Sequence, residues 1–164
     1  GITARELIEK CGGMAEGHSF KAYLPGGASG GILPASKADI GLDFGGELAK
    51  YGCFVGSHAI VILSDHDNIW DVAKNLMQFF KHESCGQCTP CRAGTDKAVS
   101  IMNATEYQPE LLSEIAAVMR DASICGLGQA ASNPLSCAMR FFPEECERSF
   151  SCVSTGLNLS GSNT

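Results

Sequence analysis

The sequence predicts an α+β fold in which a small sheet-containing unit is followed by a small four-helix bundle. Strand-like stretches are confined to residues 1–63, and apolar residues recur at helical spacing over residues 64–143. This change of hydrophobic period marks the boundary between two units. Residues 144–164 are rich in Ser, Gly, Asn and Thr without a period, so they are predicted to form a disordered tail.

The first unit is predicted to contain one helix and three candidate strands. Thr3 and Glu6 form a capping-box pattern at the start of a short helix that reaches Lys10. The candidate strands are residues 20–24, residues 32–34 and the Val- and Ile-rich segment 53–63, which is expected to be buried. These strands are too few to close a sheet by themselves. A compact domain whose complete sheet is only partly recognised in the sequence is the alternative, but we expect that the chain begins inside a domain whose remaining strands lie upstream.

The second unit is predicted to contain four helices of about 10–16 residues joined by short links, as in an antiparallel bundle. Asp67 is the expected N-cap of the first helix, and the second helix is expected over residues 91–102. Pro109 suits the first turn of the third helix, and the pair Asn133-Pro134 begins the fourth. Pro143 is expected to stop the fourth helix.

Composition excludes several classes of function. The 164 residues carry a formal net charge of −6, which argues against nucleic acid as a partner. No apolar run is long enough for a membrane span, and no secretory signal is expected, since none is visible before the first helix. The glycine-rich stretches match neither GxGxxG nor a P-loop, so no nucleotide site is predicted in these residues.

Cysteine is the residue type that points to chemistry. Nine cysteines without a secretion signal favour reduced thiols in a cytoplasmic protein over a disulfide framework. Three of them, Cys85, Cys88 and Cys91, have the spacing CxxCxxC, and Cys125 follows after a long interval in the sequence ICGLG. Three thiolates from one turn and a fourth from elsewhere is the arrangement that holds a [4Fe–4S] cluster.

Alternatives to a cluster remain at this point. Structural zinc also takes four thiolates, although usually from two separate CxxC knuckles. Redox disulfide chemistry uses a lone CxxC at a helix start, which the third cysteine and Pro90 fit poorly. Arg92, next to the motif, is either a positive charge that raises a cluster potential or a surface residue at a helix start. The remaining cysteines have no ligand spacing and are expected to be core or tail residues; they are Cys11, Cys53, Cys137, Cys146 and Cys152.

The segment ESCGQCTPCRAG resembles, at every fixed position, the signature of the flavoprotein (NADH-binding) subunit of NADH:quinone oxidoreductase, respiratory complex I. The same signature occurs in the diaphorase subunits of NAD-reducing hydrogenases and NAD-dependent formate dehydrogenases. The upstream segment HSFKAYLPGGASGGILPAS is similar to part of the soluble-ligand-binding β-grasp domain of this family, and MRDASICGLGQAASNP extends the resemblance to about residue 143. Within the family, the sequences of these segments are most similar to that of the formate dehydrogenase β subunit.

The resemblance implies that Cys85, Cys88, Cys91 and Cys125 bind one [4Fe–4S] cluster that relays single electrons. In the family, FMN and NAD bind in an N-terminal domain that has no counterpart in these residues, so the chain is expected to be a fragment that is inactive alone with NADH.

The implied partners are an iron–sulfur subunit of the same complex and a catalytic subunit of the formate dehydrogenase type. No direct membrane insertion is expected, and the location is cytoplasmic. The other possible parent complexes are NADH:quinone oxidoreductase and an NAD-reducing hydrogenase, and a metal-stapled protein-binding module is a further alternative.

Overall fold

The computed structural model describes the backbone of residues 1–154 and the side chains of residues 1–150. Within this part the chain forms three strands, seven α-helices and two short 3-10 helices. The strands are β1 (Phe20–Leu24), β2 (Leu33–Pro34) and β3 (Val61–Ser64). The α-helices are α1 (Ala4–Lys10), α2 (Ile69–Glu83), α3 (Thr89–Met102), α4 (Pro109–Ala122), α5 (Gly126–Ala130), α6 (Asn133–Phe141) and α7 (Pro143–Ser154).

The strands form one antiparallel sheet in the order β2-β1-β3. Tyr23 of the central strand lies opposite Leu33 on one side and Ile62 on the other. Its ring is fully buried, and its hydroxyl donates a hydrogen bond to the Lys37 carbonyl at 2.9 Å. Burial raises the pKa of Tyr23, so this phenol stays a hydrogen-bond donor at neutral pH. The helix expected at Thr3 is confirmed with its reciprocal capping box to Glu6.

The prediction of a buried strand over residues 53–63 is wrong for most of that segment, because only Val61–Ser64 is strand. Residues 53–60 instead direct their backbone hydrogen bonds to the glycine-rich loop that follows β1. The Phe54 N–H donates to the Gly30 carbonyl at 3.2 Å, and the Gly27 N–H donates to the Ala59 carbonyl at 2.8 Å. The loop comes this close because its glycines have no side chains: a Cβ on Gly26 would clash with the Phe54 carbonyl.

Helix α2 begins one residue later than predicted. Asn68, and not Asp67, is its N-cap, since the Asn68 side chain accepts a hydrogen bond from the Asp71 N–H at 2.9 Å. The Asp67 carboxylate instead accepts the Ser64 N–H at 2.7 Å and closes the turn between β3 and α2. An Asp and an Asn in succession are both good caps, and the turn decides between them.

Four helices correspond to the predicted ones, and they contact one another in a ring. Helix α2 packs against α3 and α6, and α4 packs against α3 and α6. The short helix α5 is absent from the sequence prediction; it lies against α3 and α4. No helix within residues 1–154 combines the length and the apolar character that crossing a membrane would require.

The tail predicted to be disordered over residues 144–164 is helical in its first part, where α7 extends to Ser154. Pro143 does end α6, and it also begins α7. Cys146 and Phe150 are buried in the core, and the Trp70 and Phe150 ring centroids are 5.2 Å apart. These apolar residues at helical spacing fold the segment onto α2. The average composition of the segment is polar, so it does not reveal these two apolar positions. Residues 155–164 lie outside the described residues.

One hydrophobic core runs through the sheet and the helices. It includes Tyr23 and Leu33 from the sheet and Trp70, Leu112 and Leu135 from the helices. The predicted boundary at residue 64 thus falls between elements that share a core, and the division into domains stays a prediction.

Glu145 of α7 joins the two parts of the chain and generates a stability prediction. Its carboxylate, 14% exposed, accepts hydrogen bonds from the Ile69 N–H at 2.6 Å and from the Lys21 ammonium at 3.0 Å. We expect Glu145→Ala to lower the free energy of unfolding by about 1.5–3 kcal/mol, because it leaves a helix N-terminal N–H without its acceptor and leaves the half-buried Lys21 ammonium with only the Asp67 carbonyl. Urea unfolding measures the change.

Glu144→Ala is the matched control, since Glu144 is exposed in the same first turn of α7 and has the same relation to the helix dipole. Equal destabilisation by the two variants would contradict the role assigned to the Glu145 contacts.

Candidate metal centre

The CxxCxxC motif occupies the connection between α2 and α3. Cys88 is the N-cap of α3, Cys91 lies in its first turn, and Cys85 precedes both in the loop. Cys91 is only 5% exposed, Cys88 is half-buried and Cys85 is exposed. The three thiols therefore descend from the surface into the protein over one turn. Gly86 has a φ of 76°, a left-handed conformation that few other residues adopt without strain.

Side chains on both sides of the motif hold this loop in shape. The Ser84 hydroxyl lies 3.3 Å from the Cys91 sulfur and accepts the Gly86 N–H at 3.3 Å. The Arg92 guanidinium donates to the Gly86 carbonyl and to the Thr89 hydroxyl. Arg92 thus braces the loop in addition to placing a positive charge beside it, so it is not an unattached surface residue.

Cys125 lies on a second loop, which connects α4 to α5. Ser123 follows α4 in an extended conformation, and Cys125 is the extended N-cap of α5. The Gln129 side chain donates to the Ser123 carbonyl at 3.0 Å and closes this loop from within α5. Cys125 is exposed, as is Cys85 on the first loop.

The two cysteine loops meet at Cys88. The backbone N–H groups of Ile124 and Cys91 lie close to its sulfur and lower the pKa of the Cys88 thiol, and the neighbouring Ser123 hydroxyl acts in the same direction. Ile124 immediately precedes Cys125. The structure therefore places the second loop against the middle cysteine of the motif.

A glycine makes this approach possible. A Cβ added to Gly128 would lie 2.5 Å from the Ser123 hydroxyl and 2.9 Å from the Cys91 Cβ. Any other residue at position 128 would push α5 and its loop away from the start of α3. Gly128 therefore acts through packing, and its φ is not in the left-handed region.

The residues of this centre fit an iron–sulfur group. All four candidate ligands are free thiols, and soft sulfur donors select iron–sulfur clusters, zinc or Cu(I). The Ser123 hydroxyl is buried and has no hydrogen-bond partner of good geometry among the described residues. Such a group is costly to leave unpaired, and a sulfur acceptor bound at these cysteines would satisfy it.

The sequence alone does not point to Ser84 and Ser123 or to the Ile124 N–H. Both serines lie next to a motif cysteine or two residues before one, where a small side chain with a hydroxyl can reach sulfur. That proximity is the one signal that could identify them. The role of the Ile124 N–H cannot be recognised from the residue type, because any residue except proline supplies a backbone N–H.

Of the remaining cysteines, three are buried in the core away from this centre. Cys53 and Cys137 have their sulfurs 3.6 Å apart beneath Gly31. Burial raises the pKa of the Cys146 thiol to about 11, so it is neutral at physiological pH. Cys11 is exposed on α1's C-terminal side, and Cys152 lies outside the described side chains.

Comparison with known proteins places these residues in a family. Residues 71–149 match the NADH-ubiquinone oxidoreductase-F iron-sulfur binding region, a family defined by a [4Fe–4S] cluster. An NADH-quinone oxidoreductase subunit of Rhizobium meliloti (strain 1021) is 34% identical over 152 residues, which are 88% of this chain and 36% of that protein. The corresponding NADH-quinone oxidoreductase subunit of Rickettsia typhi is 37% identical over 155 residues, 90% of this chain and 37% of that protein.

A hydrogenase subunit and a solved hydrogenase structure are also similar to this chain. The NADP-reducing hydrogenase subunit HndC of Solidesulfovibrio fructosivorans is 34% identical over 154 residues, 90% of this chain and 31% of that protein. The crystal structure of an H2-reduced NAD+-reducing [NiFe]-hydrogenase superposes with a TM-score of 0.77 at 26% identity, over 90% of this chain and 26% of that chain.

The chain spans about a third of the length of these curated relatives. The match includes both cysteine loops and nearly all of the helices around them. Residues 71–149 of this chain belong to the family of NADH-ubiquinone oxidoreductase-F iron-sulfur binding regions.

Proposed function

We propose that this chain is the electron-transfer part of an NAD(H)-linked flavoprotein oxidoreductase, with Cys85, Cys88, Cys91 and Cys125 as the ligands of one [4Fe–4S] cluster. The observation that carries the proposal is the meeting of the two cysteine loops at Cys88. The family match over residues 71–149 supports the identity of the cluster. When bound, the cluster supplies one-electron transfer at a potential set by its charge and its hydrogen bonds.

The residues around the ligands stabilise thiolate charge and set its surroundings. The Ile124 N–H and the Ser123 hydroxyl lie beside the Cys88 sulfur, the Ser84 hydroxyl lies 3.3 Å from the Cys91 sulfur, and the first turn of α3 directs its positive dipole end toward Cys88 and Cys91. Arg92 adds a full positive charge that opposes the negative charge of a four-thiolate site. Cys91, buried at the inner end of the loop, limits access of water from that side.

Each part of the fold has a place in this function. The ring formed by α2, α3, α4 and α6 is the four-helix bundle that presents the cluster ligands at one end. The three-stranded sheet with α1 is part of a β-grasp domain, which the segment HSFKAYLPGGASGGILPAS resembles. FMN and NAD bind in a further domain of the complete protein, and an iron–sulfur partner subunit accepts the electrons. The complex is cytoplasmic, at most peripheral to a membrane through its partners.

Within the family we propose the formate dehydrogenase branch, on the resemblance of AYLPGGASGGILPAS and RDASICGLGQAASNP to its β subunit. The relatives described above are subunits of quinone oxidoreductases and of a hydrogenase, which are the alternatives. Metal analysis of the native complex, purified through the complete protein, separates the branches. Molybdenum in the complex supports the formate dehydrogenase branch, whereas nickel, or neither metal, contradicts it.

Cluster assembly is the first test of the ligand assignment. After anaerobic reconstitution we expect about four irons and four sulfides per chain and an electron paramagnetic resonance signal on reduction with dithionite. Changing any one of Cys85, Cys88, Cys91 or Cys125 to Ser should remove most of that iron, since a thiolate ligand is lost.

Cys11→Ser is the matched control, because Cys11 is an exposed free thiol outside the two loops, and it should leave the iron content unchanged. One tightly bound zinc per chain with no capacity for iron and sulfide would contradict the proposal and favour a metal-stapled binding module.

The packing of α5 on α3 gives a second test that leaves all four thiols in place. Gly128→Ala should reduce cluster occupancy severalfold and make the cluster more labile in air, because the added Cβ separates the Cys125 loop from Cys91. Gly126→Ala is two residues away in the same helix, and a Cβ there has no neighbour within 4 Å. The iron-to-protein ratio and the bleaching rate of the cluster absorbance are the measurements. Equal behaviour of the two variants would show that the approach of the loops is not needed.

A further inference from the structure

A second group of potential ligands lies at the sheet, separate from the cysteine centre. His18 precedes β1, and Asp65 and His66 follow β3 in the turn that leads to α2. One ligand atom from each of the three side chains lies within 4.8 Å of the other two. The imidazole rings of His18 and His66 have centroids 4.2 Å apart. The proposed electron-transfer function uses none of these residues.

The backbone fixes the two turns against each other. The Ser19 N–H donates to Oδ1 of Asp65 at 2.7 Å, and the Asp65 N–H donates to the Ser19 carbonyl at 2.9 Å. An aspartate side chain is ordinarily a carboxylate at neutral pH. Oδ2 of Asp65 is not engaged by Ser19 and remains for another partner.

A chain of hydrogen bonds selects the tautomer of His18. The Asp67 carboxylate can only accept, so the Ser64 hydroxyl, 3.1 Å away, donates its single proton to Asp67. The Ser64 oxygen must then accept at its 3.0 Å contact with Nδ1 of His18. Nδ1 consequently carries the proton, and the lone pair of His18 is on Nε2. A hydrogen bond at one imidazole nitrogen that leaves the other free for a metal is the usual arrangement around metal-binding histidines.

We propose that His18, Asp65 and His66 form a binding site for one divalent first-row transition metal ion, with Zn²⁺ as the representative ion. Two imidazoles and one carboxylate are the donor set that zinc and its neighbours prefer, and magnesium or calcium would require more oxygens. Ser64 is a positioning residue that acts through His18.

The site borders a cavity in which a small molecule could bind and act as a further ligand of the metal. His18 and His66 line a cavity of about 570 Å³, whose walls include the apolar side chains of Leu7, Met14 and Ile62. Three protein ligands leave a fourth position of a zinc ion to water or to a small anion, which is typical of open zinc sites. The ligand class that fits is therefore a small molecule with an anionic end and an apolar body.

Zn²⁺ and Co²⁺ alone are the probes for the test. The full chain, with its cysteine site first saturated by anaerobic iron–sulfur reconstitution, is titrated with Zn²⁺ by calorimetry and with Co²⁺ by absorption. We expect one ion per chain and no thiolate-to-cobalt charge-transfer band. Asp65→Asn keeps the acceptor for the Ser19 N–H, and His66 is exposed, so Asp65→Asn and His66→Gln are expected to fold. Each should weaken Zn²⁺ binding at least about 10-fold, since even loss of an outer partner of a ligand costs that much.

His58→Asn is the matched control, because His58 lines the same cavity but is outside the three-residue group. His58 has a φ of 59°, which asparagine adopts readily, and the variant should bind Zn²⁺ as the wild type does. Ser64→Ala should weaken binding about 10-fold without changing the stoichiometry, as expected for a positioning residue. Binding with a thiolate–cobalt signature, no binding beyond the cysteine site, or unchanged binding by both Asp65→Asn and His66→Gln would each overturn the proposal.

Discussion

The candidate metal centre depends on the close approach of the Ile124 N–H to the Cys88 sulfur, which lowers the pKa of that thiol. This approach joins two loops that are far apart in sequence, one with the three cysteines of the motif and one with Cys125. The contact requires that α5 approach α3 closely, and Gly128 is the residue that permits this. The absence of a side chain at position 128 is therefore what allows the two cysteine loops to lie together.

The rest of the fold holds these two loops in place. Helices α2 and α3 carry the first loop between them, and α4 delivers the second. The ring of packing among α2, α3, α4 and α6 fixes the distance between the two loops. Helix α7 packs against α2 and α6, and its Glu145 ties α2 to β1 through Ile69 and Lys21. The core continues into the sheet, so a change there would be transmitted to α2.

Local patterns can be predicted from the sequence because their causes are local. The capping box at Thr3 needs only residues within one turn, and proline marks the starts of α4 and α6. The CxxCxxC spacing of Cys85, Cys88 and Cys91 also depends on a single turn of chain, whereas Cys125 is proposed as their partner on the family resemblance and the 3 + 1 arrangement.

Features that depend on distant partners cannot be predicted in this way. Residues 53–60 have strand-like composition, but the glycine loop at Gly26 and Gly30 takes their hydrogen bonds. Residues 144–154 look polar on average, but Cys146 and Phe150 fold α7 onto Trp70. The hydrogen-bond donors around the cysteines, such as the Ile124 N–H, come from the backbone, and the sequence does not encode their direction.

Whether the two cysteine loops hold one cluster can be decided by anomalous diffraction at the iron absorption edge, from crystals of the anaerobically reconstituted chain. We expect one iron centre bonded to the sulfurs of Cys85, Cys88, Cys91 and Cys125, with Gly128 packed against Cys91 beside it. An iron centre that lacks Cys125 as a ligand, or a single zinc ion in its place, would show that the loops do not act together in this way.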